Sequence, residues 1–347
     1  MNIIHNDYKN LICVENIFTA WQKFRVGKNK KIDVMEFERH LEDNLFSLYH
    51  DLQRNSYSHS GYEYFRITDP KKRDIHKAKV KDRIIHQVFY DYLCRIYEPF
   101  FIYDSYSSRL NKGTHRAVKK LGDFTEQVAK DNFGRCYALK CDIKKFFENI
   151  DHKILLELLA DKVKDKNIMI ILRIIIKSFN NSAGKGIPLG NITSQIFANI
   201  YLHQLDIFVK NKLKLKYYLR YNDDFVFLDG NQRTLFKNLV RIQEFVRYRL
   251  LLEAPDDKIV FRKLNWGIDF CGYVILPGAI LLRQNTKRRM MKNIVTAARK
   301  YKEKELPFAK FSEIINSYFG LLKHCHSHNL KEKIRNKYIY GQIIRTI

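Results

Sequence analysis

Short strand-like runs set among longer helical patterns point to an α+β fold. Three observations carry this reading. In Tyr137-Ala-Leu-Lys-Cys-Asp-Ile143 the apolar side chains fall on alternate positions, Tyr137, Leu139, Cys141 and Ile143. That is the period of a half-buried strand, and it places Lys140 and Asp142 on the other face. Aromatic and branched residues flank Asn222-Asp223-Asp224, with Tyr217 to Leu219 before and Phe225 to Leu228 after, which reads as a hairpin with the polar residues at its turn. Elsewhere the period is helical. Ile12, Ile17, Ala20, Trp21 and Phe24 form one stripe, Phe37, Leu41, Leu45, Leu48 and Leu52 another, and Leu235 to Leu252 carries a broad apolar face.

Two like charges side by side at a turn add no stability. They suit a divalent cation, which prefers hard oxygen ligands and offsets the repulsion. An Asp pair alone is unspecific, and a third acid changes that. Asp142, at the end of a strand beside the Asp223–Asp224 hairpin, completes a set that can hold two metal ions. Such ions sit about 3.5–4 Å apart and clamp the attacking and leaving oxygens of a phosphoryl transfer.

The chain has 347 residues and a net charge of +26, far beyond what solubility requires. Such an excess points to a polyanion, nucleic acid first. An anionic membrane surface is the rival, but no long apolar segment or secretory leader is visible, so no membrane partner and a cytoplasmic location are expected. The six cysteines form no CxxC pair, which implies neither a disulfide framework nor a zinc knuckle. His324-Cys-His-Ser-His328 is rich in ligand types but has no second cluster to pair with.

Tyr221-Asn-Asp-Asp224 resembles the YxDD box of reverse transcriptases, and Asp142 resembles the acid of their preceding metal-binding motif. Ile187-Pro-Leu-Gly-Asn-Ile-Thr-Ser-Gln195 lies between them in the family's order, and the likeness runs from about Tyr64 to about Phe319. Ser194-Gln195, where most reverse transcriptases carry Ser-Pro, is similar to the enzymes of diversity-generating retroelements. The resemblance implies a right-hand polymerase fold: an N-terminal helical region (1–60), fingers (61–135), a palm of antiparallel sheet and helices with interleaved fingers elements (136–282), and a basic helical thumb (283–347). It also implies two Mg2+ ions, with Mn2+ as a possible substitute, held by Asp142, Asp223, Asp224 and the Ile143 carbonyl.

Further roles follow from the same resemblance. A hairpin over 62–76, with Pro70 at its turn, would fold over the incoming dNTP. Lys71, Lys72 and above all Arg73 would meet the triphosphate, where guanidinium can engage two oxygens at once. Arg83, in a segment resembling the family's "DR…Q" motif, would touch the template. Arg109 and Lys112, before the Gly113 turn, would face phosphate. Phe147 matches the bulky residue that excludes a 2′-hydroxyl, with neighbouring Phe146 in the core. Leu189 and Gly190 would pack against the nascent base pair, and Gln195 and Tyr221 would also bind substrate. Leu189 stands where the retroviral enzymes carry glutamine. Lys258 matches the palm lysine placed to protonate pyrophosphate, and Gly272 the primer grip. From Arg283 onward 16 Lys/Arg stand against 4 Asp/Glu, a net of +12. There Lys287, Arg288 and Arg289 would track the template RNA–cDNA hybrid through its phosphates.

The expected activity is therefore RNA-directed DNA synthesis on a retroelement template RNA, error-prone in a diversity-generating retroelement and aided by a small basic accessory protein. A phage-defence reverse transcriptase is the runner-up. A non-catalytic, maturase-like RNA-binding scaffold is the alternative from a different class, and the intact acid triad argues against it.

Overall fold

The computed structural model describes residues 7–69 and 71–340; Pro70, expected at a hairpin turn, lies outside them. The first four helices are α1 (Asp7–Leu11), α2 (Val14–Arg25), α3 (Ile32–Glu38) and α4 (Leu41–Gln53). Ile17, Ala20, Trp21 and Phe24 of α2 and Leu45, Leu48 and Leu52 of α4 are buried, as their spacing requires. The second stripe is interrupted where α3 stops, and this leaves Phe37 and Leu41 half-buried.

Strands β1 (Tyr62–Ile67) and β2 (Arg73–Ala78) pair antiparallel as the expected hairpin. Helices α5 (Val80–Tyr97) and α6 (Thr114–Asp131) follow. Then come β3 (Tyr137–Asp142), α7 (Phe146–Asn149), α8 (His152–Lys162), α9 (Lys166–Lys177) and α10 (Ile192–Ile207). Asp151 caps α8 by accepting from the Lys153 and Ile154 amides at 2.9 and 3.1 Å, which starts the longer helix after the single turn of α7. Next are β4 (Tyr218–Tyr221), β5 (Asp224–Asp229), α11 (Gln232–Arg249) and β6 (Ile259–Lys263). The C-terminal part holds β7 (Ile268–Phe270), β8 (Tyr273–Leu276), β9 (Ala279–Leu282), α12 (Gln284–Lys302), α13 (Phe308–Leu322) and α14 (His328–Ile334).

The central sheet is antiparallel, in the order β4-β5-β3-β6. One face, with Leu139, Cys141, Tyr218, Phe225 and Phe227, packs in the main core with Leu155 of α8 and Ile196 and Ile200 of α10. The other, with Ala138, Leu219, Val226 and Leu228, packs against Val118 and Leu121 of α6 and against β7 and β8. β3 is therefore covered on both faces rather than half-buried. The same double cover explains why Phe225 to Leu228 runs apolar without alternation. Segment 104–106 shields the β4 edge: the Arg220 amide donates to the Asp104 carbonyl and the Tyr106 amide to the Arg220 carbonyl, both at 2.9 Å. Acidic side chains come together where β3 ends and β5 begins.

The two helices after β9 have a core of their own. Met290, Ile294 and Ala298 of α12 pack on Phe311, Ile315 and Leu322 of α13, leaving the basic residues of α12 outside.

Candidate active site

Strand register assembles the acids. Asp142, the last residue of β3, lies directly opposite Asp224, the first residue of β5. β4 and β5 are joined by the two residues Asn222 and Asp223, since Tyr221 pairs with Asp224. Asn222 takes φ 58°, a left-handed conformation that asparagine adopts more readily than most residues. The turn lifts Asp223 beside the Asp142–Asp224 pair. Burial, then the neighbouring Asp142 and Asp224, push the Asp223 carboxyl up to about 6, although its own backbone and Asn222 Nδ2 at 2.9 Å partly offset them. Burial also raises Asp224, opposed by the Lys140 ammonium 3.5 Å from its Oδ1.

Hard carboxylate oxygens in this arrangement fit a divalent cation, and Asp224 Oδ1 is buried with no hydrogen-bond partner. As placed, Asp223 turns to Asn222 and Asp224 to Lys140. Among the described residues no three His, Cys, Asp or Glu side chains converge into a closed ligand set. The corner is thus poised on its own polar groups, with Lys140 standing where positive charge is wanted. Alternation placed Lys140 on the same face as Asp142, and that was the one sequence signal of its place here.

Arg220 is the residue that sequence reasoning passed over. It is fully buried, and it pairs with buried Asp206 of α10 through Nε (2.8 Å) and Nη2 (2.6 Å). Its Nη1 donates to the Asn222 carbonyl at 3.0 Å and to Asn199 Oδ1 at 3.2 Å, while Tyr218 OH donates to Asp206 at 2.7 Å. The guanidinium therefore ties the acid-bearing turn to α10. A charge inside an otherwise apolar strand was the available signal.

Several other expected residues flank the acids or lie on neighbouring elements. The last β3–β6 pair is Cys141 with Ile259, so one step further along the register sets exposed Lys258 beside Asp142. Ile143 follows β3 and is buried, while the Lys144 amide donates to the Glu253 carbonyl at 2.9 Å. Cys271 and Gly272 form the β7–β8 turn, both with positive φ (49° and 86°). Burial and then Asp224 raise the Cys271 thiol to about 12, so this turn lies within electrostatic reach of the acids. Phe146 is buried, and Phe147 is half-buried beside it with ring centroids 5.4 Å apart. Tyr221 accepts from Thr114 Oγ1 at 3.0 Å, and Gln195 is exposed on α10.

Leu189 and Gly190 hold the β1–β2 hairpin. The His76 amide donates to the Leu189 carbonyl at 3.0 Å, and a Cβ on Gly190 (φ 108°) would meet Ile75 Cγ2 at 2.8 Å. Asn191, unnoticed in the sequence, donates to the His76 carbonyl at 2.8 Å and accepts from the Ala78 amide at 3.3 Å. The loop before α10 is thus a socket for the hairpin. Lys71, Lys72 and Arg73 are exposed at the hairpin's far end, and Lys71 exerts a lowering pull on the Asp224 carboxyl. Lys287, Arg288 and Arg289 are exposed on α12, and Arg289 Nη1 lies 3.5 Å from Asp69 of the hairpin. The hairpin and α12 therefore meet.

Three expected contacts differ. Arg109 does not face a phosphate: its guanidinium binds Glu98 (2.8–3.1 Å) and the Ile102 and Ser105 carbonyls (2.7 and 2.9 Å), leaving the side chain 6% exposed. Arg83 pairs with Asp33 and stacks over Phe24 at 4.8 Å, which staples α5 to the N-terminal helices instead of reaching a template. Lys112 lies 3.3 Å over the Tyr103 ring and donates to the Tyr103 carbonyl at 2.7 Å. A sequence shows a cation but not the acid or carbonyl that claims it.

An antiparallel sheet ending in paired acids, faced by a basic hairpin and followed by a basic helical unit, is the build of a nucleotidyl-transferring polymerase. Residues 68–275 match the family model described as "Reverse transcriptase (RNA-dependent DNA polymerase)", and the chain belongs to that family. It is 33% identical over 147 residues to an uncharacterized 91 kDa protein in cob intron of Schizosaccharomyces pombe, a match covering 40% of this chain and 17% of that one. It is 32% identical over 153 residues to the group II intron-encoded protein LtrA of Lactococcus lactis subsp. cremoris, covering 42% and 24%. The matches thus span less than a quarter of these relatives' length. Telomerase from Candida albicans, solved with a TWJ fragment of telomeric RNA, shares the fold with a TM-score of 0.51 at 14% identity, over 85% of this chain and 56% of that one. The expected right-hand polymerase fold is the one adopted.

Two outcomes follow from this geometry. Asp206→Ala strands the buried Arg220 charge and should cost about 3–5 kcal/mol in denaturant unfolding, whereas Asp206→Leu with Arg220→Met should recover most of that. A double variant as unstable as the single one would show that the pair is not the anchor. A carboxyl whose pKa is raised on folding destabilises the fold as pH rises through that range. At pH 7 Asp223→Asn should therefore raise stability, by on the order of 2 kcal/mol. Added Mg2+ should raise the melting temperature of the unaltered protein more than that of the variant, and equal shifts would remove Asp223 from the metal site.

Proposed function

We propose that this chain is an RNA-directed DNA polymerase, extending a primer on template RNA with dNTPs. The observation that carries the reading is the Asp142–Asp224 register pair with Asp223 at the adjoining turn, since nothing in the fold needs three acids there. Asp142, Asp223, Asp224 and the Ile143 carbonyl are the residues that would hold two Mg2+ ions, or Mn2+ in their place, whose chemistry is to lower the pKa of the primer 3′-hydroxyl and neutralise charge at the transferring phosphorus. Lys71, Lys72 and Arg73, uncommitted at the hairpin tip, bind and orient the triphosphate. Lys258, beside Asp142 in register, holds a proton for the leaving pyrophosphate. Phe147 closes the space a 2′-hydroxyl would need, and the Cys271–Gly272 turn supports the primer end. Arg109, Arg83 and Lys112 act through the fold, keeping the fingers in shape.

Primer extension on an RNA template tests this directly. Asp223→Ala should abolish synthesis while RNA affinity in filter binding stays nearly unchanged, because the acid repels nucleic acid. Phe147→Ala should admit ribonucleotides in the same assay. Synthesis retained by Asp223→Ala would end the two-metal assignment.

We infer further that copying is loose, as in a diversity-generating retroelement. Leu189 supports this narrower reading: it offers no donor or acceptor, so it can press on a nascent pair but cannot hydrogen-bond to it. Shape alone in an apolar contact discriminates by only about 1–3 kcal/mol, whereas a lost polar contact discriminates far more. Leu189→Gln should lower the error frequency, most at template adenine. Equal error spectra in sequenced cDNA from both forms would leave Leu189 as packing and the mutagenic role without residue-level support.

A further inference from the structure

The polymerase reading leaves unused the ligand-rich run that follows α13. It lines a cavity of about 480 Å³ with the first turns of α6: His115, Arg116 and Lys119 from the helix, and Lys323, His324 and His326 from the run. No carboxylate lines this cavity. Arg116, Lys119 and Lys323 set positive charge around it, which disfavours a cation.

The chemistry favours an oxyanion. The first turn of 18-residue α6 carries no acid, and Gly113 before it offers no side-chain cap, so its free amides add positive potential beside His115 and Arg116. His326 Nδ1 is held by Ile280, with the amide at 3.0 Å and the carbonyl at 3.3 Å, and this orients the ring. The His115 and His324 rings stack 3.6 Å apart at 15°. Two imidazolium ions would repel at that spacing, and burial and then His324 lower the His115 pKa. An anion beside the stack would reverse that preference. The cavity lies on the seam between sheet and thumb: the Tyr273 ring packs against His115 at 6.0 Å, and its hydroxyl donates to the Leu321 carbonyl at 3.1 Å.

We propose that this cavity binds a phosphate group, namely one on the backbone of a nucleic-acid strand passing the seam between α6 and the end of α13. The choice of a nucleic-acid source rests on the polymerase reading; the phosphate chemistry does not. The test uses the full chain, with Lys119→Gln/Lys323→Gln against a Lys119→Arg/Lys323→Arg control. Two readouts are the salt dependence of RNA–DNA hybrid binding and the histidine C2–H signals of His115 and His324 during titration with hybrid or inorganic pyrophosphate. A backbone phosphate contact predicts that the Gln variant loses about 0.9 of log–log slope per contact, taking the duplex-DNA scale. It also predicts that the Arg variant keeps the slope and that hybrid moves both signals. Signals that move with pyrophosphate but not hybrid, with the slope unaltered, would overturn the nucleic-acid source and retain a free-phosphate site. Signals unmoved by either probe would overturn the site altogether. Binding is read without synthesis, so this failure is separable from a failed primer extension.

Discussion

Three carboxylates held at one corner of a sheet repel one another, and most of the architecture can be understood as what holds them there. The strand ladder fixes Asp142 against Asp224, but Asp223 sits on a two-residue turn that would relax away if it were free. Arg220 prevents this from beneath by gripping the turn's Asn222 carbonyl while anchored to Asp206. The anchor works because both cores bury the sheet; in water the pair would hold weakly, whereas in the interior neither partner can be released without stranding the other. Lys140 supplies the nearest positive charge from within the same sheet.

The second half of the arrangement is mechanical. The β1–β2 hairpin is seated on the Leu189–Asn191 loop by backbone bonds and one asparagine, so its far end projects toward the acids instead of waving free. The same loop leads into α10, which carries Asp206 and Asn199. Hairpin, loop, helix and acidic turn are thus joined by a continuous set of hydrogen bonds. A substrate that pulls on the hairpin pulls on the helix that anchors Arg220. The contact of Arg289 with Asp69 closes the circuit through the thumb by an exposed pair, which nucleic acid can displace at little cost.

Much of this was legible in the chain because its signals are periodic or paired. Alternation in Tyr137–Ile143 gave the strand and the side on which Asp142 lies, and the aromatic flanks of Asn222–Asp224 gave the hairpin. What alternation could not give was the second cover: Ala138 reads as a neutral residue on a polar face, yet α6 and the β7–β9 sheet bury it. Cations were the harder case. Arg73 and Arg109 each sit in a turn-rich basic stretch, and only tertiary structure reveals that Glu98 and two carbonyls have claimed Arg109. Arg220 showed only as a charge inside an apolar strand, since its partner Asp206 lies on a different element that the sequence does not connect to it.

On the polymerase reading, this sorting of cations sets how the chain would meet nucleic acid. Every internal pair, Arg109–Glu98, Arg83–Asp33 and Arg220–Asp206 among them, consumes one acid along with one base. Structural use of arginine therefore leaves the excess of +26 intact and strips the remaining surface of compensating acids. The unmatched charge then concentrates on the outer face of α12 and in the histidine-lined cavity between α6 and the end of α13, while Lys71–Arg73 are exposed at a hairpin tip bracketed by Asp69 and Asp74. A phosphodiester strand gains from each such region through released counterions without a specific partner in any of them. Strength of binding thus comes from what the fold leaves unpaired, and position comes from the few groups that the fold has fixed around Asp142, Asp223 and Asp224.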